Sequence, residues 1–455
     1  MKKKLFGTDG IRGTANKFPM TPDIALRVGQ ALGYLLRKQP HRKGGDKRMV
    51  LIGKDTRLSG YMVEQALSSG LNSMGVGVQL TGPLPTPGIG FLARNMRVDA
   101  GVVISASHNP YYDNGIKIFG ADGFKIPDSM EVEIENLVND PLLSEHLPDS
   151  ASIGRTRRID DAAGRYIVYV KNSFPLNLSL EGLRIVLDCA NGAGYKVAPA
   201  IFSELGAELI VLNDEPNGYN INDKAGALYP DKLSEAVITY RADVGVSLDG
   251  DADRVIMADN TGTIVNGDHI LAICALHMAK HKLLPRNTIV ATQMSNIGLD
   301  LAMKSHGISV LRTDVGDKNV VECMRQQGLN LGGEQSGHII HLDHSTTGDG
   351  CVAALNVLAV MQNENKPLSE LQKIMDDVPQ VLINTRVSRR VDLNTLAGYK
   401  GIVKSVEDRL NGQGRLFVRF SGTEPLIRVL VEGRDRALIG ELANEVTQYL
   451  QSELA

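Results

Sequence analysis

Only four cysteines occur in the 455 residues, Cys189, Cys274, Cys323 and Cys351, far apart and without a C-x-x-C pair. That excludes a disulfide framework and a zinc ribbon, and fits a reducing cytoplasm. Charge of one sign is also lacking: the formal net charge is −3, without the Lys and Arg excess on which phosphate-backbone binding depends. No nucleic-acid partner is expected. Long apolar runs are missing as well, since no stretch approaches the roughly 18 uncharged apolar residues of a membrane helix. The lysines after Met1 lead into LFGTDGIRG, whose polar and glycine residues interrupt the apolar core that a signal peptide needs. A membrane partner is not expected, and the cytoplasm is the expected location. What is present, 43% hydrophobic and 22% charged residues, excludes a disordered chain. The length exceeds what one hydrophobic core serves, so three or four domains are expected.

One pattern occurs three times. An apolar strand is followed by a second, then by a third that breaks into a polar loop and an apolar return, and a helix closes the unit. The first copy reads MVLIGKDTR from Met49, GVGVQLTGP from Gly75 and GVVISASHNP from Gly101, returning through NGIKIFG from Asn114. The second reads RIVLDCANG from Arg184, AELIVLND from Ala207 and DVGVSLDGDADR from Asp243, returning through VIMADNTG from Val255. The third reads TIVATQMSN from Thr288, ISVLRTDVGD from Ile308 and LNLGGEQSGH from Leu329, returning through IIHLDH from Ile339. Thr21 and Pro22 start a helix, with a capping hydroxyl and proline at the first helical position. The pattern predicts an α/β protein: three repeated α/β domains with mixed sheets between helices, plus a smaller α+β C-terminal domain of order βαββα. The expected domains are 1–155 with the serine loop, 156–259 with the acidic loop, 260–370 with a mixed polar loop, and 371–455 with an arginine-rich loop. Loops from equivalent strand ends are placed to converge on one cleft.

Asp249, Asp251 and Asp253 alternate with Gly250 and Ala252 directly after the apolar strand VGVSL. Three carboxylates in one turn repel unless a cation sits among them, and all-oxygen ligands select a hard ion, Mg²⁺ first. An EF-hand is excluded, because its sixth position is Arg254 rather than glycine and its twelfth is Asn260 rather than glutamate. In ISASHNP, Pro110 turns the loop away from the sheet behind Ser107, His108 and Asn109. An acyl nucleophile lacks its G-x-S-x-G elbow, whereas a phosphoryl carrier needs a nearby cation, which the acidic loop would hold. Lys117 and His108 are candidates for moving protons near the serine. Glu334, Gln335, Ser336 and His338 lie between glycines in GGEQSGH, a set suited to hydroxyl and amino groups of a sugar ring. In FVRFSGTEPLIRV, Arg419, Ser421, Thr423 and Arg428 surround Gly422, whose backbone N–H is accessible; this is a phosphate cradle.

Together these residues make the chain resemble the α-D-phosphohexomutases over essentially its full length, from FGTDGIRG to SGTEP. The resemblance places the family's phosphorylated serine on Ser107 and its metal loop on Asp249, Asp251, Asp253 and Arg254, with Arg254 among the substrate-binding residues. It adds Arg12 as a site arginine and identifies Arg419 to Pro425 as the phosphate loop. Gln335 and the FGTDGIRG start are similar to the glucosamine-phosphate branch. Where the family has glycine the chain has Ala252, a change expected to be harmless if its φ is negative. The implied reaction is exchange of glucosamine 6-phosphate and glucosamine 1-phosphate through phosphoserine and a bisphosphate, with one Mg²⁺ held by Ser107 and the three aspartates. The product would feed UDP-N-acetylglucosamine and cell-wall synthesis. Lys117 and His338 both remain open as the proton carrier. Alternatives are a glucose or mannose phosphate mutase on the same scaffold and a metal-dependent sugar phosphatase. A phosphosugar is the expected partner, with a homodimer left open.

Overall fold

Runs of Val, Ile and Leu form buried parallel strands because both faces of such a sheet are covered by helices. In the computed structural model, which describes residues 5–7, 9–39, 48–420 and 426–454, these strands build four sheets. The first comprises β1 (Phe6–Gly7), β2 (Gly10–Thr14), β3 (Met49–Lys54), β4 (Gly77–Pro83), β5 (Ala100–Ile104), β6 (Asp113–Gly120) and β7 (Thr156–Arg158). The second comprises β8 (Arg184–Asp188), β9 (Glu208–Leu212), β10 (Val244–Leu248), β11 (Val255–Asp259) and β12 (Ile264–Val265). The third holds β13 (Thr288–Thr292), β14 (Ser309–Thr313), β15 (Leu331–Gly333) and β16 (Ile339–His341), and the fourth β17 (Gln380–Arg386), β18 (Gly414–Phe420) and β19 (Leu426–Gly433).

The threefold pattern is a threefold topology. The orders β6-β5-β3-β4, β11-β10-β8-β9 and β16-β15-β13-β14 are the same arrangement of return, third, first and second strand. In each, the first strand pairs parallel with the second and third, and the return runs antiparallel to the third. The third strands β5, β10 and β15 therefore end at equivalent places, and from those ends come the serine, acidic and mixed loops. The first sheet extends past this unit to β7, which pairs with β4, and the second to β12, which pairs with β11.

The three repeats share one apolar core, running through Leu51, Tyr166, Leu187, Val246, Ile289, Leu331 and Leu355. The fourth domain has the order βαββα, with helices Tyr399–Leu410 and Arg436–Leu454 on the antiparallel sheet β17-β19-β18. Its core, around Val406, Val429 and Leu442, is separate. It docks on the third domain through polar contacts: Arg415 Nη2 donates to the Ser295 carbonyl at 2.6 Å, and Glu432 Oε1 accepts from the Ile297 N–H at 3.4 Å. The first long helix is Pro22–Lys38, but the Thr21 hydroxyl makes no capping hydrogen bond, so proline at the first helical position marks this start.

Candidate active site

Ser107 follows β5 in the left-handed backbone region, φ +51°, a conformation that a non-glycine residue holds only when its surroundings impose it. The imposing group is Arg57, fully buried just beyond β3. Its Nη2 donates to the Ser107 carbonyl at 2.7 Å and its Nη1 to the Asp113 carbonyl at 3.1 Å and to that of Pro110. Its Nε donates to Asp55 Oδ2 at 2.7 Å, and the same carboxylate accepts from Ser105 Oγ at 2.6 Å. Ser105 Oγ in turn accepts from the Ser107 N–H at 2.8 Å, closing the brace. From the second domain, Asn222 Nδ2 donates to the carbonyls of Ser107 at 2.9 Å and Asn109 at 3.1 Å. Arg57→Ala is expected to cost about 3 kcal/mol, because it leaves the Asp55 carboxylate buried and unpaired. Arg57→Lys should recover only part, since an ammonium lacks the planar fork that reaches several acceptors at once. Urea unfolding midpoints of the two variants check both statements.

The acidic loop follows β10 and meets the serine loop at Gly250, where a Cβ would lie 2.6 Å from the Ser107 carbonyl oxygen and 2.7 Å from Asn222 Nδ2. Gly250→Ala is expected to push the two loops apart and lower turnover about 10²-fold, as misplacement on the scale of an ångström does. Steady-state kinetics beside a melting curve would separate that loss from unfolding. Ala252, expected to be harmless at negative φ, instead has φ +57°. Its methyl group is buried in the shared core, and this burial offsets the left-handed strain that glycine would avoid.

Serine and acids meet directly. Ser107 Oγ donates to Asp249 Oδ2 at 2.6 Å. Asp249, Asp251 and Asp253 are all buried, and one oxygen of each lies within 4.8 Å of the others. Thr86 Oγ1 and Lys117 Nζ reach Asp251 Oδ2 at 2.6 and 2.9 Å, and Lys117 Nζ lies 3.4 Å from Asp253 Oδ2. Asp251 Oδ1 is buried without a hydrogen-bond partner and Asp253 Oδ1 has no donor closer than the His338 ring at 3.5 Å, so two carboxylate oxygens beside a third acid fit a hard divalent cation. Burial, then Asp253 and Asp251, push the Asp249 carboxyl well above the usual range. Burial also acts against Asp253, but Lys117 and His338 outweigh it and hold that carboxyl low.

Around this centre, His108 Nδ1 sits 3.3 Å from Ser107 Oγ. Burial, then Arg254 and Arg12, lower its pKa to about 4, so the ring is neutral at neutral pH. Burial opposes the Lys117 charge, but Asp251, Asp9 and Asp253 outweigh it and hold the ammonium protonated. His338 Nδ1 is 3.5 Å from Asp253 Oδ1 and its Nε2 is 3.5 Å from Asp317 Oδ2. Burial lowers its pKa, and Asp253, Asp317 and Glu334 more than reverse that. The Gly348 N–H, 3.1 Å from Nε2, works against full protonation and leaves the Nδ1 proton facing Asp253. Arg254 Nε is 3.9 Å from Asp253 Oδ1, and Arg12 pairs with Asp9.

Glu334 Oε1 accepts from the Gly316 N–H at 3.2 Å, the Gln335 carbonyl accepts from the Gly267 N–H at 3.0 Å, and Ser336 is exposed. Arg419 and Arg428 stand directly opposite each other on β18 and β19. Burial and then Arg428 lower the Arg419 pKa, while the charge of Glu334 in the mixed loop raises it. Like charges opposed on a sheet destabilise it unless an anion lies between them. Ser421, Gly422 and Thr423 lie outside the described residues.

Models of four domains match this chain, described as phosphoglucomutase/phosphomannomutase alpha/beta/alpha domain I at residues 3–143, domain II at 164–262, domain III at 266–378 and the C-terminal domain at 382–448. The chain belongs to the phosphoglucomutase/phosphomannomutase family. Among its relatives in that family, a phosphoglucosamine mutase of Bdellovibrio bacteriovorus is 66% identical over 454 residues, 100% of this chain and 99% of that protein. One of Syntrophotalea carbinolica is 56% identical over 454 residues, 100% and 98% of the two chains. A solved phosphoglucomutase/phosphomannomutase family protein of Burkholderia thailandensis shares the fold with TM-score 0.80 at 23% identity, covering 99% of this chain and 97% of that one. The fold is also that of an Aspergillus fumigatus N-acetylphosphoglucosamine mutase solved with GlcNAc-6P and magnesium, with TM-score 0.68 at 18% identity, covering 99% and 96% of the two chains.

For a phosphoglucomutase/phosphomannomutase family member, the site has more members than its motifs name. Asp9 pairs with Lys125, which donates to Asp317 Oδ2 at 2.6 Å, and Asp9 Oδ2 lies 3.3 Å from Lys117 Nζ. This chain of charges ties the first domain to the third beneath His338. Asp55, Arg57, Thr86 and Asn222 belong to the same set, each holding the serine or acidic loop rather than facing a ligand. Among the described residues no helix is long and apolar enough to cross a membrane.

Proposed function

We propose that this protein interconverts glucosamine 6-phosphate and glucosamine 1-phosphate in the cytoplasm, and that its domains divide the work as their loops suggest. The observation that carries the reading is Ser107 Oγ at 2.6 Å from Asp249 Oδ2, inside a buried three-aspartate cluster. The names of the full-length relatives support the choice of sugar. Phosphorylated Ser107 transfers its phosphoryl group to O1 of glucosamine 6-phosphate, the O1 proton passing to the released Ser107 oxygen; the bisphosphate turns over in the cleft, and its 6-phosphoryl group returns to Ser107, whose proton passes to the released O6.

Mg²⁺, held by Asp249, Asp251, Asp253 and an oxygen of the serine, would supply charge neutralisation for the transferring group. Lys117, held charged by three carboxylates, and Arg12 supply further positive charge and orient the phosphoryl oxygens. A base must be found elsewhere. Neutral His108, with Nδ1 at 3.3 Å, is placed to take the Ser107 proton when the hydroxyl accepts the returning phosphoryl. Buried His338 orients Asp253. Glu334, Gln335, Ser336 and Arg254 bind the substrate, and Arg419 and Arg428 with Ser421, Gly422 and Thr423 grip the phosphate that is not reacting. Because either phosphate must fit that grip, the separate core and polar docking of the fourth domain suit it to move while the intermediate turns.

The family description itself favours a second reading, in which glucose or mannose phosphates are the main substrates. Relative kcat/KM on the 6-phosphates of glucosamine, glucose and mannose decides between them. A preference for glucosamine supports the proposal, and equal or greater efficiency on glucose or mannose overturns its choice of sugar. Release of inorganic phosphate without isomerised product would instead indicate a phosphatase.

A further inference from the structure

Helices Gly267–Lys280 and Gly350–Glu364 both start at the loops of the candidate active site. The Gly267 N–H donates to the Gln335 carbonyl at 3.0 Å and the Gly350 N–H to the Ala252 carbonyl at 3.0 Å. Both run away from the centre for about 20 Å at the helical rise per residue. At their far ends a different set of ligating groups meets. His277 and His281 are four residues apart and share one face, since the helical hydrogen bond from the His281 N–H to the His277 carbonyl, 3.1 Å, continues the turn. Their ring centroids are 4.4 Å apart. Glu364, the last residue of the second helix, reaches them: one ligand atom of each residue lies within 4.8 Å of the other two.

We propose that His277, His281 and Glu364 form a second cation site that takes Zn²⁺ or a metal of similar softness. Two imidazoles and a carboxylate with room for a fourth ligand are the donor set such ions favour, whereas the all-oxygen cluster at Ser107 suits Mg²⁺. His277 Nδ1 is buried without a hydrogen-bond partner, so no structural hydrogen bond employs that nitrogen. The competing contact is Lys280 Nζ on Glu364 Oε1 at 2.6 Å. Lys280 keeps 58% of its side chain exposed, and such surface pairs are readily exchanged for a stronger ligand. A bound ion would pin the far ends of two helices whose near ends carry the catalytic loops.

The test is a calorimetric titration of the full chain with Zn²⁺ in saturating Mg²⁺, repeated with Co²⁺ for its visible absorption spectrum. One equivalent of Zn²⁺ is expected, with a rise in melting temperature and a cobalt spectrum of low coordination number. His277→Ala and His281→Ala should each weaken binding at least about tenfold, since even loss of an outer-sphere partner costs that much. Glu364→Gln should weaken it as well. His281 is exposed, so His281→Ala should fold as wild type does and retain mutase activity. Asp251→Asn, which alters the Mg²⁺ cluster and its contacts to Thr86 and Lys117 but none of the three proposed Zn²⁺ ligands, should keep the Zn²⁺ response. No Zn²⁺ binding in saturating Mg²⁺, or an unchanged isotherm and melting response in His281→Ala, would overturn the proposal.

Discussion

Ser107→Ala loses at least about 10⁴-fold in mutase turnover while the protein stays folded, the size of loss seen when a covalent nucleophile is removed. The expectation rests on geometry rather than on the presence of a serine. Ser107 is buried, its carbonyl is fixed by Arg57 and Asn222, and its hydroxyl points into the aspartate cluster at 2.6 Å from Asp249. The hydroxyl is buried from solvent; it donates one hydrogen bond, to a group that metal would claim, and lies 3.3 Å from His108 Nδ1. Its loss should cost only about 1 kcal/mol of stability, the net worth of one such bond. A coupled assay for glucosamine 1-phosphate and a thermal melt read the two effects separately. If Ser107→Ala kept a tenth of wild-type turnover, the phosphoryl carrier would have to be another group.

Asp249→Asn carries the second large effect, and its two parts have opposite signs. Turnover should fall at least about 10³-fold, because the charge that develops on the transferring group would lose its counter-ion. The metal-free protein, however, should gain about 1 kcal/mol of stability, as when an uncompensated buried acid is replaced by a neutral isostere. The reason is unequal compensation. Lys117 lies within ion-pair distance of Asp251 and Asp253, whereas among the described residues no ammonium or guanidinium lies that close to Asp249. Two unit charges at the spacing found here repel by a few kcal/mol at an effective dielectric of about 20. Wild type should gain thermal stability on adding Mg²⁺, by roughly 2.7 kcal/mol at a hundredfold excess over Kd. The variant should gain none. A full Mg²⁺ response in Asp249→Asn would remove that residue from the ligand set.

Why the site could be anticipated so far follows from the kind of signal each residue leaves in the chain. Buried parallel strands need apolar runs, so MVLIG, GVVIS and VGVSL mark their own positions, and repetition of the run places three loops at equivalent strand ends. Aspartates spaced by small residues after a strand leave few structural uses. The braces leave no such mark. Asp55 and Arg57 follow a strand in GKDTR and resemble any solvated turn; their role comes from burial of Arg57 against carbonyls 50 to 56 residues away along the chain. Lys125 and Asp317 are 192 residues apart, and only packing of the first domain against the third makes them a pair. Ala252 shows the limit in the other direction. A family difference was visible in the sequence, but its φ of +57° is set by where the loop must go after β10. FGTDGIRG marks Arg12, while Asp9 in the same segment, which holds both Lys117 and Lys125, carries no mark of that role in the sequence.

The central claim is that a hydroxyl set among buried acids carries phosphorus between two positions of one sugar. Incubating the purified protein with glucosamine 1,6-bisphosphate and mapping its peptides by mass tests this most directly. The account predicts one added phosphoryl group, on the peptide containing Ser107, discharged when glucosamine 6-phosphate is supplied. Turnover by a protein whose Ser107 peptide never gains that mass would contradict it.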